Sequence, residues 1–168
     1  DAQGVVGEGG KILGRAEAAD IDQGRHAGGE MPLGIAPGML PVERVDVRDA
    51  CALKPLLSGA RTVFHLAGVC DHHSVMHTAE ADVLHNILGP AAVLDACRTS
   101  APEARIVFTG TRGEYGSVSE LPASETTPPD PKGFYELSKW SAGQLLRIYN
   151  RVHGLDTVVL RLGNVFGP

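Results

Sequence analysis

The stretch Arg61-Thr62-Val63-Phe64-His65-Leu66-Ala67-Gly68 decides how this chain folds. Its apolar centre has the length of a buried strand, and it stops on small residues that let a backbone come close to a flat ligand. Three further runs share its character, at 41–47, 105–109 and 157–162. Each is short and apolar enough for a strand covered on both faces, and helical patterns follow, so four parallel strands in β-α units are expected. Between the second and third runs, residues 80–98 carry Val83, Ile87, Ala91 and Leu94 on one helical stripe. A second long helix is expected over 134–153, with Leu145, Ile148, Tyr149 and Val152 on one face. Pro122, Pro128, Pro129 and Pro131 exclude a helix interior or a central strand from 116–132, which reads as a surface loop.

The beginning differs. Ten of the 21 glycines fall within the first 38 positions, with few aliphatic clusters and no period, so residues 1–40 read as loop-like. The chain as a whole has 168 residues, a formal charge of −5, 43% hydrophobic and 21% charged residues, enough to bury a core. Fifteen Lys plus Arg against 20 Asp plus Glu leave no basic footprint for nucleic acid or an anionic membrane. No apolar run approaches the roughly 18 residues that cross a bilayer, and residues 1–10 lack the basic start and apolar middle of a signal peptide. A cytoplasmic protein is expected. Cys51, Cys70 and Cys97 are odd in number and scattered, which points to free thiols rather than disulfides or zinc. Asp71, His72, His73 and His77 cluster, but they read as a polar loop, and no metal is expected.

In an open parallel sheet, ligands sit beyond the carboxyl ends of the strands. After the first run come Asp46 and Asp49, each able to accept from an adenine amino group or to cap the next helix. After the third comes Thr111, whose hydroxyl would face a ligand or cap a turn. Tyr135 and Lys139 are four apart, which puts phenol and ammonium on one helical face, one turn apart. A nearby ammonium favours the phenolate, and such a tyrosine can act as general base toward an alcohol.

Taken in order, these residues resemble a known family. Asp46-Val47-Arg48-Asp49 is similar to D-x-R-D, His65-Leu66-Ala67-Gly68 to H-L-A-A, and Asn86-Ile87-Leu88-Gly89 to N-x-x-G. Thr111 precedes Tyr115-Gly116 by four, Tyr135 and Lys139 follow, and Arg161-Leu162-Gly163-Asn164-Val165-Phe166-Gly167-Pro168 is similar to R-x-x-N-x-[YF]-G-P. The pattern resembles that of the extended short-chain dehydrogenase/reductase superfamily, in its NAD-dependent epimerase/dehydratase branch, and the resemblance covers about 41–168. It implies an α/β fold, a Rossmann-like doubly wound parallel sheet, with NAD as cofactor and a nucleotide sugar as substrate. It further implies that Asp46 and the Val47 backbone hold the adenine, and that Leu66, Ala67 and Gly68 line the dinucleotide. Asn86 would shape the helix bordering the cofactor, and Lys139 would bind the nicotinamide ribose beside Tyr135. Thr111 and Tyr135 would face the sugar with Arg112 next to them, and Asn164 would reach its diphosphate. Thr111, Tyr135 and Lys139 are the implied catalytic residues, with Tyr135 held partly ionised by Lys139 and the cofactor.

Two departures from the family pattern stand out. Gly4-Val5-Val6-Gly7-Glu8-Gly9-Gly10 has the spacing of G-x-x-G-x-x-G, making Gly4, Gly7 and Gly10 the expected pyrophosphate glycines. Only three residues precede it, too few for a strand to feed the turn, and the ribose carboxylate would be Asp22, or Asp20, only 12 or 10 residues later. The expected organisation is 1–40 as an atypical start and 41–168 as the NAD-binding domain, incomplete at the N-terminus and without the family's C-terminal substrate domain. The family's sugar 4,6-dehydratases carry Asp-Glu directly after the threonine, whereas this chain has Arg112-Gly113, with Glu114 one place later. A nucleotide-sugar epimerase working through a transient ketone is therefore favoured over a dehydratase or a reductase. A non-catalytic dinucleotide-binding protein is the competing reading outside enzymes. The resemblance also implies a homodimer joined through the two long helices.

Overall fold

The computed structural model describes residues 4–7, 11–14, 42–70, 78–118 and 121–166. Among these, six strands form one sheet: β1 (Gly4–Gly7), β2 (Lys11–Gly14), β3 (Val42–Arg44), β4 (Thr62–His65), β5 (Arg105–Thr111) and β6 (Asp156–Leu162). Their order is β3-β2-β1-β4-β5-β6, which is the strand order of a Rossmann-like sheet. β4, β5 and β6 are parallel neighbours, with Phe64 beside Val107 and Val107 beside Val158. β3 is parallel to β2, and β1 is antiparallel to both β2 and β4. The four strands expected from the sequence therefore run in one direction.

The expectation of a loop-like beginning is corrected. Val5 pairs with Leu13 and Val6 with Ile12 in a hairpin at the middle of the sheet. Two apolar residues suffice for a strand once neighbours supply the ladder, and a pair that short leaves no period to read. Gly4 and Gly7 are consequently strand residues, and the next described element is β2, antiparallel to β1, rather than a helix.

Asp49 caps α1 (Ala50–Leu57) by accepting from the Ala52 N–H at 3.0 Å. Thr78 caps α2 (Ala79–Asp82), which passes through a π-turn at Val83–Ile87 into α3 (Leu88–Ser100). Pro90 explains the wider turn: it has no N–H, and its ring crowds the carbonyl four residues back, at Asn86. The extra residue shifts the buried stripe, which is Asn86, Gly89, Pro90, Val93, Leu94 and Cys97, while Val83 from the expected stripe is exposed. α4 (Phe134–His153) has the expected bounds and ends on Gly154 at φ +72°, with Arg151 and His153 in its last turn facing the negative end of the helix dipole. Its buried face is Ser138, Lys139, Ala142, Gly143 and Leu146, whereas Ile148 and Val152 of the expected stripe are exposed. This face lies against β6, where a Cβ at Gly143 would be in ordinary contact with Val159, at 3.7 Å.

α1 packs on α3 and α3 on α4. The core between them and the sheet consists of Leu53, Leu57, Val63, Val93, Leu94, Ile106, Phe108 and Leu146. On the other side of the sheet Phe64, Leu66, Leu160 and Leu162 stay 37–43% exposed. That face is apolar as the strand runs implied, and no described helix covers it.

Candidate active site

The carboxyl ends of β4, β5 and β6 meet the first two turns of α4. The chain leaving β4 is held there by Asn86, whose Oδ1 accepts the Val69 N–H at 2.8 Å. Its Nδ2 donates to the Val69 carbonyl and to Asp82 Oδ1, both at 2.9 Å. Buried and with its amide committed, Asn86 fixes the backbone after Ala67 and Gly68. Gly89 serves the same edge, since a Cβ there would come within 3.2 Å of Val47.

At the end of β5, Thr111 Oγ1 accepts the Gly113 N–H at 3.2 Å and starts a short 3-10 turn, Arg112–Tyr115. Glu114 Oε1 accepts the Thr111 N–H at 3.2 Å, and Glu114 Oε2 accepts from Arg161 Nε on β6 at 2.9 Å. The same guanidinium donates to the Tyr115 hydroxyl at 3.0 Å. The Glu114 side chain is buried, with the whole residue only 1% exposed. It fits because residue 110 is glycine: a Cβ there would stand 2.6 Å from Glu114 Oε1. On the outer side of the same strand ends, Arg112 Nε donates to Asn164 Oδ1 at 3.0 Å. Two residues expected to touch substrate are thus bonded to each other.

The Lys139 ammonium is buried 4.3 Å above the Phe108 ring centroid, and His65 stacks on that ring with centroids 5.6 Å apart. Burial pulls Lys139 down to about 8, against the pull of Glu114 and Cys70. Burial, reinforced by Lys139, also holds the His65 imidazole down at about 3, and neither ring nitrogen has a hydrogen-bond partner among the described residues. The Tyr135 hydroxyl and the Cys70 sulfur are hydrogen-bonded to each other. Burial pushes this phenol up to about 12, with Cys70, Glu136 and Asp82 acting the same way. Among the chain's own groups desolvation of the phenol dominates, and the Lys139 ammonium lies over Phe108.

The adenine-side residues are more ordinary. Asp49 is a helix cap, and the Asp46 carboxylate is gripped by Arg48 at 2.6–3.1 Å, so an adenine amino group would share it with a guanidinium. Val47 belongs to the core, Ala67 is buried and Leu66 lies on the open sheet face. Gly4 and Gly7 lie in a strand, which removes them from the strand-to-helix phosphate turn expected of them. Gly10, Asp20, Asp22, Asp71, His72, His73 and His77 lie outside the described residues. Among the described residues no group of three His, Cys, Asp or Glu could hold a metal, and no helix is long and apolar enough to cross a membrane.

Sequence reasoning missed Cys70, Phe108 and Arg161 as neighbours of the site, and Glu114 as its buried carboxylate. The Asp82–Asn86 spacing of four was a readable signal for one hydrogen bond. Nothing in the sequence linked Glu114 to Arg161, which are 47 residues apart.

A sequence model of the NAD dependent epimerase/dehydratase family matches residues 13–168. The chain is 30% identical over 126 residues to UDP-glucuronate 4-epimerase 3 of Arabidopsis thaliana, covering 73% of this chain and 29% of that protein. It is 32% identical over 125 residues to a dTDP-glucose 4,6-dehydratase of Streptomyces antibioticus, covering 74% and 37%. The crystal structure of a Thermus thermophilus UDP-glucose 4-epimerase complexed with NAD superposes with a TM-score of 0.70 and 34% identity, over 79% of this chain and 44% of that one. The chain thus spans about three tenths of the length of the first of these relatives.

Proposed function

Because the chain belongs to the NAD-dependent epimerase/dehydratase family, we propose that it serves the epimerisation of a nucleotide sugar, with NAD, by transient oxidation of a ring hydroxyl to a ketone. The observation that carries this reading is the convergence at one sheet edge: Tyr135 and Lys139 on the first two turns of α4, over Phe108 and Cys70, with Thr111 at the end of β5. The described residues suit the nicotinamide end of the cofactor, where Ala67 and Gly68 present little side chain and Lys139 carries the charge to hold ribose hydroxyls. When bound, the nicotinamide supplies a hydride acceptor and a positive charge beside the phenol. Tyr135 takes the sugar hydroxyl proton as the carbon beneath it is oxidised, and gives the proton back when the ketone is reduced on its other face. Thr111, whose oxygen already accepts from Gly113, keeps its own O–H to donate to the same sugar oxygen.

Glu114 favours epimerisation over dehydration. Elimination of water calls for a free carboxyl group beside Thr111, and this carboxylate is buried between the Thr111 amide and Arg161. The proposal extends to a homodimer through α3 and α4, supported by the exposed Val83, Leu88 and Leu137 on their outer sides.

Fluorescence titration with NADH and NADPH, followed by product analysis with UDP-glucuronate and UDP-glucose, tests the reading. The expected result is tighter binding of NADH, a C4 epimer as product, and a rate about 10²- to 10⁴-fold lower for Tyr135→Phe with cofactor binding retained. A 4-keto-6-deoxy product would move the protein to the dehydratases. Turnover unaffected by Tyr135→Phe would remove the tyrosine from the chemistry.

A further inference from the structure

The reaction outlined above gives no part to Glu114, yet this side chain is bonded into several pieces of the candidate site. Its carboxylate accepts from the Thr111 amide at 3.2 Å and from Arg161 at 2.9 Å. Its main-chain carbonyl accepts the Asp130 N–H at 2.9 Å, so it also anchors the loop that leads into α4 and Tyr135. The path is tight: Gly116, at φ +60°, lies against the Asp130 carbonyl, where a Cβ would clash. Both carboxylate oxygens are engaged, which leaves Glu114 poorly placed to exchange a proton with a ligand.

We propose that Glu114, locked by Arg161, is a positioning residue of this site, holding the turn that carries Thr111 and the entry to α4. The proposal rests on the roles given above to Thr111, Tyr135 and Lys139. The groups that bear on Lys139 are Glu114 from the turn after β5, Cys70 from the segment after β4 and His65 from β4 itself. Glu114 and Cys70 favour the ammonium, and Glu114 is the first of the two. Cys70 carries charge only as a thiolate, and burial pushes its thiol up. His65 is neutral in the working range, since burial holds it at about 3. Glu114 is therefore the charge whose removal Lys139 will register.

Glu114→Gln removes the charge at nearly unchanged shape: its single amide oxygen accepts from the Thr111 N–H or from Arg161 Nε, and the other bond is lost. In the whole protein with NAD and UDP-glucuronate or UDP-glucose, kcat is expected to fall about tenfold or more with KM changed less than about twofold. The alkaline limb of kcat moves to lower pH. NMR titration of the Lys139 side chain, one of four lysines, reads the charge effect without turnover: its proton affinity is expected to fall about tenfold in Glu114→Gln. A second variant, Glu114→Leu with Arg161→Met, replaces the ion pair by apolar groups and guards against loss of fold. If that folded double variant keeps wild-type kcat and wild-type Lys139 titration, the pair is merely structural and the proposal is overturned. If the wild-type protein shows no epimerisation, the functional reading falls by itself, and an unchanged Lys139 titration in Glu114→Gln is what sinks the positioning role.

Discussion

β5 and β6 are tied together at both ends by an arginine Nε and a carboxylate. At the amino end Arg105 meets Asp156 at 2.7 Å, with the two side chains 60% and 49% exposed. At the carboxyl end Arg161 meets Glu114 at 2.9 Å, with the side chains 19% and 2% exposed. Chemistry and geometry are nearly the same, and water is the difference. An exposed pair competes with solvent and contributes between nothing and about 1 kcal/mol. A buried pair has lost its hydration, so each partner depends on the other, and removing one leaves a charge with nowhere to go. The same end of the sheet also buries Lys139 and His65, while the core beneath it is apolar. The candidate site lies at the end where charges are buried, and the two ends of two strands make that difference measurable.

The largest test of the contrast is Arg161→Met, which strands Glu114 and is expected to destabilise by about 3–5 kcal/mol in urea unfolding. A loss no larger than that of Arg105→Ala would erase the distinction between the ends. Lys139→Met should act in the opposite sense. The folded chain holds this proton with a pKa of about 8 against the ordinary 10.5 of a lysine, and each unit corresponds to about 1.4 kcal/mol. The variant is expected to gain on the order of 3 kcal/mol at pH 7 while losing turnover. Between pH 8 and 10.5 the unfolded chain is protonated and the folded one is not, so wild-type stability rises with pH there and the variant's advantage fades. Unfolding midpoints at pH 7 and pH 10 check the sign.

His65 sharpens the comparison on the acid side. Its folded form stays neutral down to about 3, whereas the unfolded chain takes up the proton near 6.5. Stability is therefore complete above 6.5 and is lost as pH falls toward 3, by about 2 kcal/mol at pH 5. His65→Leu should remove that loss when midpoints at pH 7 and 5 are compared. Arg105→Ala closes the series, with an expected change below about 1 kcal/mol that shrinks further in high salt.

The sequence made the parallel strands, α4 and the placement of Thr111, Tyr135 and Lys139 readable because each rests on local information: an apolar run, a helical spacing, a residue type at a strand end. The hairpin of β1 and β2 was hidden because its strands exist only through their neighbours. The buried stripes were misread for two further reasons. Pro90 inserts a π-turn that shifts the register of α3, and α4 turns Ala142, Gly143 and Leu146 inward where Ile148 and Val152 were expected. The Glu114–Arg161 pair was invisible because nothing along the chain links a turn residue to an arginine 47 positions away. The desolvation that pushes the Tyr135 phenol up was not legible either, because no sequence spacing records burial.

The π-turn at Val83–Ile87 makes the length of this helical run matter as much as its composition. An α-helix advances about 100° per residue, so deleting one residue there would close the wide turn and swing everything upstream by that angle. Asp82 would leave its alignment with Asn86 Nδ2, and the grip on Val69 would lose its backing. Along this part of the chain a point substitution on the exposed face is a small event. A one-residue deletion, by contrast, would act at a distance on the backbone that Asn86 holds at Val69, beside Gly68.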